Sequence, residues 1–209
     1  MKSVLITTRP QWVEKICHKI GEDKTGKAIY EKRIEVRKSA PQEVPFKAYI
    51  YCTKGKPYLY RVDDDDNFEL TNTLRPKVDE YVKDYNEQNG KVIGEFICDK
   101  VERLEEHIEQ GGLYYILSDT FNEQAQLDNW ELHDYGKGKT LYGWHISDLK
   151  IYDKPKELSE FYTKKKCNSC KKSGYGSTAC MYDEDCKVPM SITRAPLSWQ
   201  YIEDIGEEE

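Results

Sequence analysis

Alternation of apolar and charged residues marks residues 31–38 as a strand. Ile34 and Val36 alternate with Glu35 and Arg37, which is the period of two shown by a half-buried strand. One face therefore enters a core, while the other carries charge. Charges at this spacing fit either a solvated strand edge or a functional site, and both interpretations stay open.

A helical pattern precedes this strand. Thr8 is the expected N-cap, Pro10 stands in the first turn, and Gly21 follows where a helix would end. The apolar stripe of this predicted helix consists of Trp12, Val13, Ile16, Cys17 and Ile20.

Further strand-like segments follow along the chain. They cover residues 2–7, 46–53, 91–101 and 140–146, and Gly94 inside the third is a candidate β-bulge. Residues 102–139 are the least strand-like and predict short helices, the first beginning near Ser118. Short strands with turn signals and peripheral helices predict an α+β fold, namely a closed or nearly closed mixed β-barrel.

Composition favours a cytoplasmic protein. The 209 residues are 38% hydrophobic and 33% charged. No run of about eighteen apolar residues predicts a membrane span, and the N-terminus has no apolar signal-peptide segment. We therefore expect no membrane partner.

Charge is unevenly distributed. Residues 1–62 hold fourteen Lys or Arg against six Asp or Glu, whereas residues 63–149 hold eight against twenty-one. Residues 150–194 are basic again, with ten against six. The two basic segments could form one face that suits phosphate groups, although opposite charges also hold segments of one fold together.

Four cysteines near the C-terminus have the spacing of a metal site. Cys167 and Cys170 are separated by two residues, and Cys180 and Cys186 follow after nine and five more. Four thiolates of this kind can enclose a zinc ion tetrahedrally, and a site closed by four cysteines is structural. Neighbouring lysines favour the thiolate form.

Other cysteine chemistries are weaker alternatives. Disulfides are unexpected in a cytoplasmic chain, and a redox Cys-x-x-Cys lacks its βαβ context. An iron–sulfur cluster would also accept four cysteines, but a short lysine-rich module fits zinc better. We expect a barrel over residues 1–160, a zinc-binding insertion over 161–190, and a C-terminal strand within 191–205 that returns to the barrel.

The order of motifs resembles the ASCH domains of the PUA-like superfamily. The motifs are Arg9-Pro10-Gln11-Trp12, then Lys32-x-x-Glu35-x-Arg37, then Gly90 to Phe96, Gly143 to Leu149, and Arg194 to Trp199. The whole chain looks most like the ASCH-type proteins of bacteriophages and prophages. The motif lysine can be aligned with Lys24-Thr25 or with Lys32-Arg33, and Lys32 keeps the family spacing to Arg37.

The resemblance implies a PUA-like barrel that binds RNA or a modified nucleotide in a basic cleft beside the first helix. The phosphate-binding candidates are Arg9, Lys32, Arg37 and Arg194. The other ligand-binding candidates are Trp12, Glu35, Trp144 and His145. Trp12 also fits the helix stripe, so a core role competes with base stacking.

An enzymatic function is the main alternative. Some ASCH proteins are amidohydrolases acting on acylated cytidine, with a Lys-x-x-Thr-x-Arg pattern, and others are described as nucleases. Here Lys32 and Arg37 match the pattern, but Glu35 replaces the threonine nucleophile. Glu35 could serve only as a general base, which the two neighbouring cations would weaken. A phage accessory protein that binds a host protein is the third reading.

Overall fold

A five-stranded and a three-stranded sheet form the centre of the computed structural model. It describes residues 1–54, 59–62, 68–71, 89–109, 112–115, 117–118, 120–166 and 187–203. The helices are α1 (Pro10–Cys17), α2 (Phe121–Ala125) and α3 (Asn129–Gly136), and a 3₁₀ turn covers Leu158–Glu160. The strands are β1 (Lys2–Thr8), β2 (Lys19–Glu22), β3 (Ala28–Tyr30), β4 (Ile34–Arg37), β5 (Phe46–Cys52), β6 (Leu59–Val62), β7 (Phe68–Thr71), β8 (Lys91–Cys98), β9 (Val101–Leu104), β10 (Glu106–Glu109), β11 (Gly112–Tyr115), β12 (Leu141–His145), β13 (Ser147–Glu157), β14 (Tyr162–Lys166), β15 (Lys187–Ser191) and β16 (Trp199–Ile202). Strands with a few short helices make an α+β fold, as the sequence pattern predicts.

The five-stranded sheet has the order β13-β8-β5-β1-β16. β1 and β5 are parallel, and the chain between them forms α1, β2, β3 and β4. The other neighbours are antiparallel. The pairing of β5 with β8 shifts register between Ile50↔Gly94 and Tyr51↔Val92. This shift is a β-bulge, and it confirms the irregularity expected at Gly94.

The three-stranded sheet has the order β4-β12-β9 and is antiparallel. It continues directly from the larger sheet, because β9 follows β8 after two residues and β13 follows β12 after one. The remaining paired strands form four two-stranded hairpins: β2-β3, β6-β7, β10-β11 and β14-β15.

The described strands do not close into a barrel by backbone pairing. β4 and β16 are each at the end of a sheet, and no ladder joins them among the described strands. The Arg37 side chain spans this opening instead, since its Nη1 donates to the carbonyls of Thr7 (2.9 Å) and Ser198 (3.5 Å). We call the opening between β4 and the paired ends of β1 and β16 the seam. The sequence predicts a closed or nearly closed barrel, and among the described strands the backbone ladders stop short of closure at the seam.

Three groups of buried apolar side chains stabilise this arrangement. One joins α1 to the inner face of β1, β5 and β8, and includes Trp144. A second holds α2 and α3 against the three-stranded sheet. The third packs Phe161, Ile192 and Ile202 on the opposite face of the five-stranded sheet. The seam therefore lies between rigid, packed elements.

Candidate functional site

The charged face of β4 is buried. All four residues of the strand are buried, and Glu35 and Arg37 are each only 6% exposed. Lys32, just before the strand, is 2% exposed. The solvated-edge interpretation is therefore wrong for Glu35 and Arg37, whereas Arg33 remains partly exposed and pairs with Glu123 (3.0 Å).

Lys32, Glu35 and Arg37 form a charged triad at the seam. Glu35 Oε1 lies 3.0 Å from Arg37 Nη2, and Glu35 Oε2 lies 3.6 Å from Lys32 Nζ. A carboxylate between two cations compensates part of their charge, and the triad keeps a net positive charge. Buried ions of this kind persist only when paired and hydrogen-bonded.

Lys32 is held by groups that are distant in the chain. Its Nζ donates to the carbonyl of Ala125, at the end of α2 (2.5 Å), and lies 4.9 Å from the centroid of the Trp12 ring. Burial lowers the pKa of Lys32, and Arg37 acts in the same direction, while Glu35 opposes it. The half-buried Trp12 ring lies beneath the Lys32 ammonium. Lys15 Nζ is also near this ring, 5.6 Å from its centroid.

Arg37 explains why Thr8 does not cap α1. The hydroxyl of Thr8 accepts a hydrogen bond from Arg37 Nη2 (3.1 Å), so it is committed to the seam. The N-cap is Arg9, whose side chain makes no capping bond and is exposed. The prediction of Thr8 as N-cap is therefore wrong, although the helix itself and Pro10 in its first turn are confirmed. The predicted end at Gly21 is also wrong, because the helix ends at Cys17, and Ile20 lies on β2 and not on the helical stripe.

Tyr135 on α3 is a site residue that the sequence pattern missed. Burial raises the pKa of its phenol, and Glu35 adds a smaller increase. The charges of Arg37 and Arg9 act in the opposite direction. Lys38 Nζ lies 4.8 Å from the centroid of the ring, which is 38% exposed. Arg9, Lys38 and Tyr135 therefore form the mouth of the seam. Nothing in the sequence around residue 135 links it to β4, since the two meet only in the folded chain.

Two atoms of the triad keep unused hydrogen-bonding capacity. Glu35 Oε2 and Arg37 Nε are buried and have no hydrogen-bond partner among the described residues. Buried polar groups are normally satisfied, and these two atoms are exceptions. Both atoms are enclosed, so the triad contributes its charge to the seam and not a contact surface.

Three of the predicted ligand-binding residues lie elsewhere. Trp144 is completely buried, with edge-on contacts to Phe46 (5.0 Å) and Trp199 (5.7 Å) between ring centroids. The structure therefore places it in the core and not on a surface for stacking. His145 Nε2 lies 2.7 Å from Glu102 Oε1 at the β9 edge, and Arg194 is exposed on the segment before β16.

The four predicted zinc ligands, Cys167, Cys170, Cys180 and Cys186, lie outside the described residues. Within the described part of the chain, no group of three or more His, Cys, Asp or Glu side chains could hold a metal ion. The flanking strands β14 and β15 are described and pair antiparallel, with Lys166 opposite Lys187. In the described ranges, no helix is long and apolar enough to span a membrane.

Comparison with solved structures finds ASCH from Zymomonas mobilis, at 16% identity and a TM-score of 0.41, covering 75% of this chain and 74% of that one. A single-residue variant of the same protein matches at 15% identity and a TM-score of 0.40, covering 76% and 77%. No protein-family model matches the chain. No curated protein matches it either. At these identities and TM-scores the ligand and the chemistry of those proteins do not transfer to this chain.

Proposed function

We propose that this chain is an ASCH-type module that binds RNA or a nucleotide at the seam. The observation that carries the proposal is the buried triad of Lys32, Glu35 and Arg37, which keeps a net positive charge at the seam. Arg9 and Lys38 at the mouth add positive charge on the solvent side. Phosphate is the ligand that such a concentration of cations suits.

The mouth also offers a surface for a base. Tyr135 presents a partly exposed ring beside Lys38, and Trp12 lies half-buried beneath Lys32. Aromatic rings stack on any base, and guanidinium groups bind phosphate. The same side chains therefore support recognition of a single-stranded nucleotide.

Binding is favoured over hydrolysis by the state of Glu35. Each of its oxygens faces a cation, and the side chain is 6% exposed. A general base needs access to the proton it removes. The geometry instead suits a carboxylate that orients Arg37 and Lys32.

Arg9 provides the sharpest test of binding, because it is exposed while Arg37 supports the fold. Arg9→Ala should weaken the binding of a fluorescently labelled single-stranded RNA several-fold, measured by fluorescence anisotropy. The slope of log affinity against log salt should also fall by about 0.7 for the lost phosphate contact.

The matched control is Arg103→Ala. Arg103 is also an exposed arginine, but it lies on β9, at the opposite edge of the three-stranded sheet, and pairs with Glu105 (2.8 Å). Equal affinities and equal salt slopes for the two variants would rule out the seam as the binding site.

We also propose a structural zinc ion bound by Cys167, Cys170, Cys180 and Cys186. The cysteine spacing supports it. The pairing of β14 with β15 supports it further, because Lys166 and Lys187, the neighbours of the first and last cysteine, are opposite each other. The ends of the cysteine segment thus leave the sheet side by side, as a single metal-bound module requires.

A further inference from the structure

A depression in the surface lies beside residues 40–42, which follow β4 in the chain. It is a shallow depression of about 430 Å³, lined by Lys2, Ala40, Gln42, Trp199 and Tyr201. This volume is within the range of small-molecule sites, roughly 300–1,000 Å³. None of these residues belongs to the triad or to the mouth of the seam.

The aromatic rings of the depression are held in place. Trp199 contacts Trp144 on one side (5.7 Å, 69° between ring planes) and Tyr201 on the other (5.3 Å, 85°). Its indole N–H donates to the hydroxyl of Ser39 (3.0 Å). Tyr201 remains 43% exposed. A rigid, partly exposed aromatic surface binds a flat ring at little entropic cost.

The polar groups of the depression suit the other parts of a nucleotide. The exposed amide of Gln42 can donate to and accept from a base edge. Lys2 Nζ lies 5.8 Å from the centroid of the Tyr201 ring, where a phosphate next to a stacked base would meet it. Lys2 also pairs with Glu43 (2.8 Å), but both side chains are largely exposed, so a phosphate can compete for the ammonium.

The depression and the seam are joined by one short segment. The segment is residues 38–42. Lys38 lies over the Tyr135 ring at the mouth, Ser39 accepts a hydrogen bond from Trp199, and Gln42 lines the depression. Four peptide steps span at most about 14 Å. Protein sites for single strands cover about 4–16 nucleotides, so one short strand can reach both places.

We infer that the depression is a second nucleotide subsite, which takes a base and phosphate of the same single strand that enters the seam. The inference rests on the proposed function and adds the substrate class: an oligonucleotide and not a lone nucleotide. The base stacks beside Tyr201, Gln42 contacts its edge, and Lys2 contacts a phosphate.

The test compares a single-stranded RNA hexanucleotide with a nucleoside 5′-monophosphate, by calorimetry on the full chain. Tyr201→Ala should weaken hexanucleotide binding about tenfold, the usual effect of losing one base stack. Its affinity for the monophosphate should stay at the wild-type value. Gln42→Ala should reduce the difference in affinity between hexanucleotides of different base composition.

Tyr162→Ala is the matched control, since Tyr162 on β14 is 42% exposed and does not line the depression. Equal hexanucleotide affinities for Tyr201→Ala and Tyr162→Ala, with Arg9→Ala still impaired, would overturn the subsite and leave the proposed function standing. Failure of the wild type to bind either RNA would overturn both. A dimer in sedimentation velocity that Tyr201→Ala abolishes would assign the depression to a second copy of the chain and also overturn the subsite.

Discussion

At the scale of single residues, the burial of Lys32, Glu35 and Arg37 has the largest energetic consequence. Removing a charge from water costs several kcal/mol per ion, and only close pairing and further hydrogen bonds offset it. Lys32 donates a hydrogen bond to the Ala125 carbonyl, and Arg37 donates to the carbonyls of Thr7 and Ser198. Glu35 forms ion pairs with both cations. The triad therefore supports the structure of the seam as well as its charge.

Glu35→Gln tests both roles of the carboxylate. The free energy of unfolding should fall by about 3 kcal/mol, because two buried cations lose the charge that compensates them. Urea denaturation measures this change. The control is Glu105→Gln, whose side chain is 54% exposed and paired with Arg103, and it should cost less than about 1 kcal/mol.

The same variant separates a binder from a hydrolase. We expect neither the wild type nor Glu35→Gln to hydrolyse acylated cytidines or short RNAs. Hydrolysis by the wild type that falls a hundredfold or more in Glu35→Gln would identify Glu35 as a general base and contradict the proposed function.

At the scale of the elements, α2 reaches the triad because of one glycine on β12. A Cβ at Gly143 would lie 2.6 Å from Cε2 of Phe121, the first residue of α2, and 3.1 Å from a methyl group of Ile34. The missing side chain lets Phe121 pack onto the sheet and be completely buried. This packing places the end of α2, and with it the Ala125 carbonyl, against Lys32.

Gly143→Ala should therefore disturb both stability and the site. The free energy of unfolding should fall by about 1–3 kcal/mol, the cost of overpacking a core. RNA binding should weaken with it, because α2 shifts away from Lys32. Gly21→Ala is the control, since a Cβ there would have no atom within 4 Å. Equal unfolding midpoints for the two variants would show that α2 does not depend on this close contact.

At the scale of the whole molecule, the β14-β15 hairpin joins the cysteine segment to the main sheet. The amide of Glu203 donates to the carbonyl of Tyr162, and the Ile192 amide donates to the carbonyl of Phe161 (2.9 and 2.8 Å). Phe161 and Ile192 are buried against the five-stranded sheet. The base of the hairpin is thus stabilised by the core.

The zinc proposal predicts a particular count of reactive thiols. Burial raises the pKa of the thiols of Cys17, Cys52 and Cys98 to about 12, so at pH 8 these three stay protonated and slow to react. Protein purified without added metal should contain one zinc per chain by elemental analysis. A strong chelator should release it together with four reactive thiols, and denaturant should raise the count to all seven cysteines.

Cys170→Ser is the companion variant. It should lose the zinc while keeping the unfolding transition of the main sheets, because their core lies elsewhere. Four reactive thiols before any chelator is added, with no zinc present, would contradict the metal site.

The local pattern of residues was enough to predict those strands and helices whose conformation does not depend on what they pack against. The strand patterns predicted β1, β5 and β12 within a residue or two at each end, and the apolar stripe predicted α1. The predicted strand at residues 31–38 begins three residues before β4. The pattern missed β10 and β11, which lie within residues 102–139, where short helices were expected. The set of Lys32, Glu35 and Arg37 was also visible from spacing alone, because chemical type and position along one strand are properties of the sequence. The burial of that set was not visible.

Contacts between residues far apart in the chain decided the rest. Lys32 meets the carbonyl of Ala125 across 93 positions, and Arg37 meets Ser198 across 161. The hydroxyl of Thr8 accepts a hydrogen bond from Arg37 and does not cap a helix. Trp144 lies in the core, and Tyr135 lies at the mouth of the seam. Periodicity shows which face of an element is apolar, but it carries no information about which distant group lies opposite. The sequence by itself therefore determined β1, β4, β5 and β12, the first helix and the charged set on β4. The tertiary structure alone decided that this set lies buried at the seam, since the energy of a buried charge depends on partners that only folding brings within a few ångströms.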